Sequence, residues 1–195
     1  MYPSPIKKLI TLFSRFPAVG PRMATRFAFY CLKASPKEID ELIHALKEVK
    51  EKIKLCKMCF RSVEEEKELC NICSDSRRKK DLLCVVEKEA DLVSIENTGE
   101  YDGLYFILGG TVSPLRKEDL KKIRLKELKK RAENVKEVIL ATNQTTEGDA
   151  TANCITRALD SMDIKTTRLG RGLSTGSELE YADGETLSFA LKGRK

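Results

Sequence analysis

The sequence predicts an α/β protein in several modules: N-terminal helices, a small four-cysteine unit, a mostly parallel sheet flanked by helices, and a short helical tail. Three observations predict it. Apolar residues recur at helical spacing through the first 55 residues or so. Four cysteines follow as C-x2-C, a ten-residue spacer and C-x2-C, at Cys56, Cys59, Cys70 and Cys73. From about residue 80, short aliphatic runs alternate with helical patterns, as strands joined by crossovers do. The expected boundaries are 1–55, 56–76, 80–175 and 176–195.

In the first module Ile6, Leu9, Ile10, Phe13 and Phe16 share a helical period. Pro17-Ala18-Val19-Gly20-Pro21 breaks it with a short hairpin, and Pro21 suits the first position of the next helix. That helix carries Met23, Ala24, Phe27, Ala28 and Tyr30. Ser35-Pro36-Lys37-Glu38 is a capping box with proline at N1. It opens a longer helix whose stripe is Ile39, Leu42, Ile43, Leu46, Val49 and Ile53. His44, the single histidine, falls beside the stripe and reads as a solvated ring, not a ligand. The hairpin also carries chemistry. A turn ending in Gly20 offers backbone N–H groups where the helix dipole favours a phosphate. Arg22 and Arg26, four apart, share a face and are placed to grip consecutive phosphates. The pattern resembles the helix-hairpin-helix motif, a sequence-independent binder of the DNA backbone, although Ala18 stands where its first glycine is usual. A plain helix-turn-helix packing unit with two surface arginines is the alternative.

The cysteine module reads as a zinc site. Each C-x2-C knuckle turns two thiolates toward one point, and two knuckles complete the closed tetrahedral sulfur set that zinc prefers. The spacer 60–69 is highly charged, so metal must supply folding free energy that burial cannot. With four protein ligands the site is structural. Two disulfides are the alternative, but they need an oxidising compartment. The opening Met1-Tyr2-Pro3-Ser4-Pro5 lacks the basic-then-apolar pattern of a secretion signal. An odd total of seven cysteines suits a reducing cytosol, and no apolar run reaches membrane-spanning length. Cys84 reads as a small buried hydrophobe. The run Arg77-Arg78-Lys79-Lys80 reads as a basic linker.

The sheet module follows. Leu82-Leu83-Cys84-Val85-Val86 is a strand and Ala90-Asp91-Leu92-Val93-Ser94-Ile95 a helix. Leu104-Tyr105-Phe106-Ile107-Leu108 is a second strand, closed by Gly109-Gly110. A charged helical region spans 117–133. Val138-Ile139-Leu140-Ala141-Thr142 is a third strand, 150–162 a helix, and Ile164-Lys165-Thr166-Thr167-Arg168 a fourth strand. Ligands of parallel sheets meet the carboxyl ends of strands. There lie Glu87, directly after the first strand, and Glu147-Gly148-Asp149, after the third. This pattern resembles the Toprim domain of primases, topoisomerases and some nucleases, whose acids hold magnesium. Acids at a helix N-terminus are also favoured by the dipole alone. No tyrosine, histidine or lysine beside them stands out as general acid, base or nucleophile, so catalysis is not expected.

Composition agrees with a nucleic-acid partner. The chain is 34% charged, has no tryptophan and carries a formal net charge of +6. Its cations cluster at Arg77-Arg78-Lys79-Lys80, at 121–131 and at Gly193-Arg194-Lys195, the footprint of a nucleic-acid binder. A solvated helix face explains 121–131 equally well. In the tail, Gly184-Glu185-Thr186-Leu187-Ser188-Phe189-Ala190-Leu191 is a short amphipathic helix that needs a surface to pack on. Leu179-Glu180-Tyr181-Ala182-Asp183 looks like a Walker B element without a phosphate loop, so ATP hydrolysis is not expected.

Hairpin, four-cysteine knuckle and Toprim-like sheet, in that order, resemble the RecR family of bacterial recombination mediators over nearly the whole chain. The supporting stretches are Phe16-Pro17-Ala18-Val19-Gly20-Pro21-Arg22-Met23-Ala24-Thr25-Arg26, the four cysteines, Tyr105-Phe106-Ile107-Leu108-Gly109-Gly110, Ser113-Pro114-Leu115, Ala141-Thr142-Asn143 with Glu147-Gly148, Arg171-Gly172-Leu173 and Leu179-Glu180-Tyr181-Ala182-Asp183. The chain departs at Ala18, at Phe106 where the family often has histidine, at Arg116-Lys117-Glu118-Asp119 and at Asp149. The resemblance implies a non-enzymatic DNA clamp in a bacterial cytoplasm, near the nucleoid, contacting single- and double-stranded DNA through Gly20, Arg22 and Arg26. It implies work with RecO and RecF to load RecA on single strands, with Glu87, Glu147 and Asp149 facing RecO or holding magnesium. It also implies a homotetrameric ring with exchanged tails. A magnesium-dependent primase or nuclease is the alternative.

Overall fold

The computed structural model describes residues 2–115 and 117–194, with side chains left aside at 117 and 118. Met1, Arg116 and Lys195, named above, lie outside the described residues. The chain divides into two compact units, 1–53 and 54–195.

The first unit is helical: α1 (Ser4–Phe13), α2 (Pro21–Lys33) and α3 (Pro36–Lys52). Two small residues, Ala24 and Ala28, are fully buried in α2 and let α1 and α2 approach closely. Around them Phe13 stacks edge-on with Phe16 and with Phe27, and Tyr2 with Phe29. The capping box predicted at Ser35 is formed. The Ser35 hydroxyl accepts from the Glu38 amide, and the Glu38 carboxylate accepts from the Ser35 amide. Such a cap is worth about 1 kcal/mol. The predicted α3 stripe is largely exposed: Leu46 is 58% and Val49 61% accessible.

The second unit opens with a two-stranded ribbon, β1 (Ile53–Leu55) and β2 (Ser62–Glu64), and the one-turn helix α4 (Asn71–Ser74). The sheet is β3 (Lys79–Val86), β4 (Gly103–Ile107), β5 (Glu137–Ala141) and β6 (Lys165–Arg168), in spatial order β4-β3-β5-β6. All three pairings are parallel, as the alternating pattern predicts. Crossovers are made by α5 (Glu89–Glu96), α6 (Leu125–Ala132) and α7 (Thr146–Leu159), and the tail ends in α8 (Gly184–Lys192). The charged region 117–133 is thus not one helix. It is a short 3-10 turn, Lys117–Lys121, followed by α6. The core lies where Leu83, Val85 and Val86 of β3 and Leu104 to Leu108 meet Leu92, Leu128, Ile155 and Leu159 of the helices.

The linker reading of Arg77-Arg78-Lys79-Lys80 is corrected. Lys79 and Lys80 begin β3, and most of the charge is consumed internally. Arg77 pairs with Asp75, Arg78 with Glu96 and Lys79 with Asp102. Arg78 also donates to the carbonyls of Tyr101 and Gly103. Asp75 is a local neighbour, whereas Glu96 and Asp102 come from later stretches of chain, which local charge counting does not see.

Candidate metal centre and nucleic-acid interface

The four cysteine sulfurs gather as their spacing predicts. The Sγ atoms of Cys56, Cys59, Cys70 and Cys73 all lie within 4.8 Å of one another, and Cys59 and Cys70 are 3.5 Å apart. Four sulfurs ~2.3 Å from a tetrahedral zinc stand ~3.8 Å apart, so the donor set fits that ion. Backbone geometry builds the cluster. Cys56 N–H donates to Arg61 O, Phe60 N–H to Cys56 O, and Cys70 N–H to Cys56 Sγ. None of the seven cysteines is in a disulfide. Sulfur–sulfur hydrogen bonding lowers the Cys70 thiol and raises Cys59, each the other's main cause, and Cys59 chiefly raises Cys73; a divalent cation would let all four hold thiolate charge together.

The knuckle is attached to the sheet. Cys59 O accepts from the Ile107 amide at the end of β4. Phe60 adopts a left-handed backbone, φ 65°, and its ring meets Phe106 edge-on at 5.4 Å while the Arg124 guanidinium lies 4.6 Å over it. Phe106, noted as a departure, is therefore the packing partner of a strained residue.

At the carboxyl ends of β3 and β5 the chain makes the crevice expected where strand order reverses. Glu87 is buried, 7% accessible, and its carboxylate accepts from the Asn143 backbone N–H at 2.8 Å and from the Asn143 side-chain amide. Gly148 makes this closure possible, because a Cβ there would meet Asn143 O at 2.0 Å. Glu147 is exposed. Asp149 is engaged by Arg168 at 2.8 Å and Arg171 at 2.7 Å. Among the described residues these three acids do not form a metal-sized group as the cysteines do. Neither arginine was read from the sequence as a partner of Asp149, because β6 and the segment after it lie far from α7 along the chain.

In the first unit the hairpin closes through Val19 N–H to Phe16 O at 3.1 Å. Pro17 and Ala18 are its central residues, and Ala18 takes φ 61°. A positive φ at the third position with proline at the second defines a type II turn. Ala18 thus keeps the conformation that a glycine would supply. Gly20 caps α2 in an extended conformation, and an added Cβ would meet nothing within 4 Å. The fold itself does not require a glycine there. Arg22 and Arg26 are exposed in the first two turns of α2, and among the described residues neither makes an ion pair or hydrogen bond. Arg15, within the hairpin, is exposed too.

Fold and site define a class: a Toprim-type parallel sheet carrying a four-cysteine metal knuckle, with a helical hairpin unit ahead of it. Comparison with known proteins bears this out. Residues 81–170 match the Toprim domain family, 6–50 the family described as RecR, helix-hairpin-helix, and 172–195 RecR, C-terminal. A protein of Cutibacterium acnes named Recombination protein RecR is 44% identical over 196 residues, covering 100% of this chain and 96% of its own. Proteins of the same name from Chloroflexus aggregans, 45% identical, and Herpetosiphon aurantiacus, 42% identical, cover 98% and 99% of this chain and 94% and 95% of their own. The chain belongs to the RecR family.

Proposed function

We propose that the protein is a non-enzymatic DNA-binding mediator of recombinational repair that acts on gapped DNA. One observation carries the reading. Arg22 and Arg26 stand one turn apart at the start of α2 with no partner among the described residues, behind a Gly20 whose missing side chain nothing internal explains. A phosphate backbone drawn against the helix N-terminus uses all three features. Phosphate contacts fix position and not sequence, so binding is sequence-independent on single and double strands. Its strength falls steeply with salt.

Zinc at Cys56, Cys59, Cys70 and Cys73 is structural in this account. The chain works in the bacterial cytoplasm with RecO and RecF and promotes RecA loading on single strands. Of the three acids exposed Glu147 is the one open to a basic partner such as RecO, while Glu87 and Asp149 shape the strand-end crevice. Self-association into a homotetrameric ring would cover the α3 stripe and the exposed Leu179, Tyr181 and Leu191 of the tail. Weak sites on such a ring add through effective concentration. Magnesium at the three acids, and with it a primase or nuclease, is the weaker reading, because the Asp149 carboxylate is already held by two guanidiniums and Glu87 is closed over by Asn143.

Electrophoretic retention of a labelled gapped duplex tests the reading. The Arg22→Ala/Arg26→Ala protein is expected to release it at concentrations where the parent retains it. Incubation with magnesium is expected to leave the DNA intact. Cleavage or synthesis abolished by Glu147→Gln would instead establish the enzyme.

A further inference from the structure

A cleft of about 450 Å³ runs between the metal knuckle and α6 in the second unit. Four cations line it: Lys57, Lys80, Lys130 and Arg131, against one acid, Glu127. Lys57 is paired with Glu68. Among the described residues Lys80, Lys130 and Arg131 make no ion pair, although Glu127 is one turn from Arg131 on the same helix. The Arg131 Nε–H is buried with no hydrogen-bond partner among them. The terminal guanidinium nitrogens of Arg131, not its occluded Nε, are the donors that can meet a ligand in the cleft. Apart from Asn134 the rest of the lining is apolar and partly aromatic: Met58 and Phe60 of the knuckle, with Phe106 and Val135. Arg124 covers Phe60 but lines the neighbouring crevice beside Glu87, not this cleft.

The geometry points to a binding site for a nucleotide unit of single-stranded DNA, its phosphate held by Lys80, Lys130 and Arg131 and its base against Met58 and Phe60. Cationic tracks combined with apolar, aromatic platforms are how single strands are held without sequence preference. An unstacked nucleotide enters a recess of this size; a stacked duplex does not. The site deepens the DNA-binding reading and rests on it, yet it lies on different residues from the α2 arginines. It gives the α6 cations a role that the solvated-face reading denies them.

Fluorescence anisotropy on the full zinc-loaded chain separates the two sites. Lys80 and Lys130 are exposed, so Lys80→Ala/Lys130→Ala leaves the fold intact. This variant is expected to bind a labelled oligothymidylate about tenfold more weakly and a blunt duplex as well as the parent does. Arg22→Ala/Arg26→Ala is expected to weaken both. Photocrosslinking of 5-iodouracil in the oligonucleotide is expected to mark the 57–60 peptide. Unchanged single-strand binding, or an equal loss on duplex, overturns the site. So does thymidine monophosphate displacing the crosslink at micromolar concentration, since the occupant is then a free nucleotide. If the cleft variant alone loses single strands while the α2 variant loses nothing, the hairpin reading fails and this one stands.

Discussion

Ala18 shows how much one residue can hide. Its sequence signal is a missing glycine, which reads as an altered hairpin, yet the backbone adopts φ 61° all the same. A left-handed alanine costs roughly 1–2 kcal/mol, and glycine returns part of that to unfolded-chain entropy. Ala18→Gly is therefore expected to raise stability by about 0.5–1 kcal/mol, read as a higher urea midpoint, with no loss of DNA binding. Phe60 is the second such residue, and its ring contacts with Phe106 and Arg124 compensate for the same strain. Neither conformation was legible in the sequence, because backbone angle depends on turn closure and on distant partners. The four cysteines were legible, since a two-residue gap alone turns two sulfurs to one point. The role of Gly148 was not, since it depends on Asn143 folding back over Glu87.

At the scale of elements, aliphatic runs revealed the strands because parallel strands buried on both faces leave little room for polar residues. The basic run entering β3 misled because Glu96 and Asp102, distant in sequence, pair with Arg78 and Lys79, while Asp75 pairs locally with Arg77. The knuckle has few apolar residues of its own, so zinc removal is expected to unfold it. Structural zinc contributes roughly 10–16 kcal/mol in small modules. Elemental analysis should find one zinc per chain, and a chelator should lower the thermal midpoint; Cys59→Ser should lower both zinc content and midpoint without chelator. β3 gives a second prediction. Burial pushes the Cys84 thiol up to about 12, whereas an unfolded thiol ionises near ~8.5. The folded value is the higher, so this contribution is complete below ~8.5 and is lost as pH rises toward 12. Urea midpoints should fall above about pH 9, and Cys84→Ala should flatten that slope.

At the scale of the whole molecule, the apolar stripe of α3 predicted from spacing is present and largely exposed. Amphipathic spacing says which residues share a face and is silent on what covers it. In the proposed ring, neighbouring copies cover that face, and the unpaired arginines of each hairpin act together on one DNA backbone. The salt dependence of DNA binding tests this most directly. Each phosphate neutralised contributes about 0.7 to the logarithmic salt slope on single strands. Arg22→Ala/Arg26→Ala, with helix content unchanged, should lower the slope by at least ~1.4 together with the affinity. An unchanged slope and affinity would contradict the account, since these guanidiniums would then touch no phosphate.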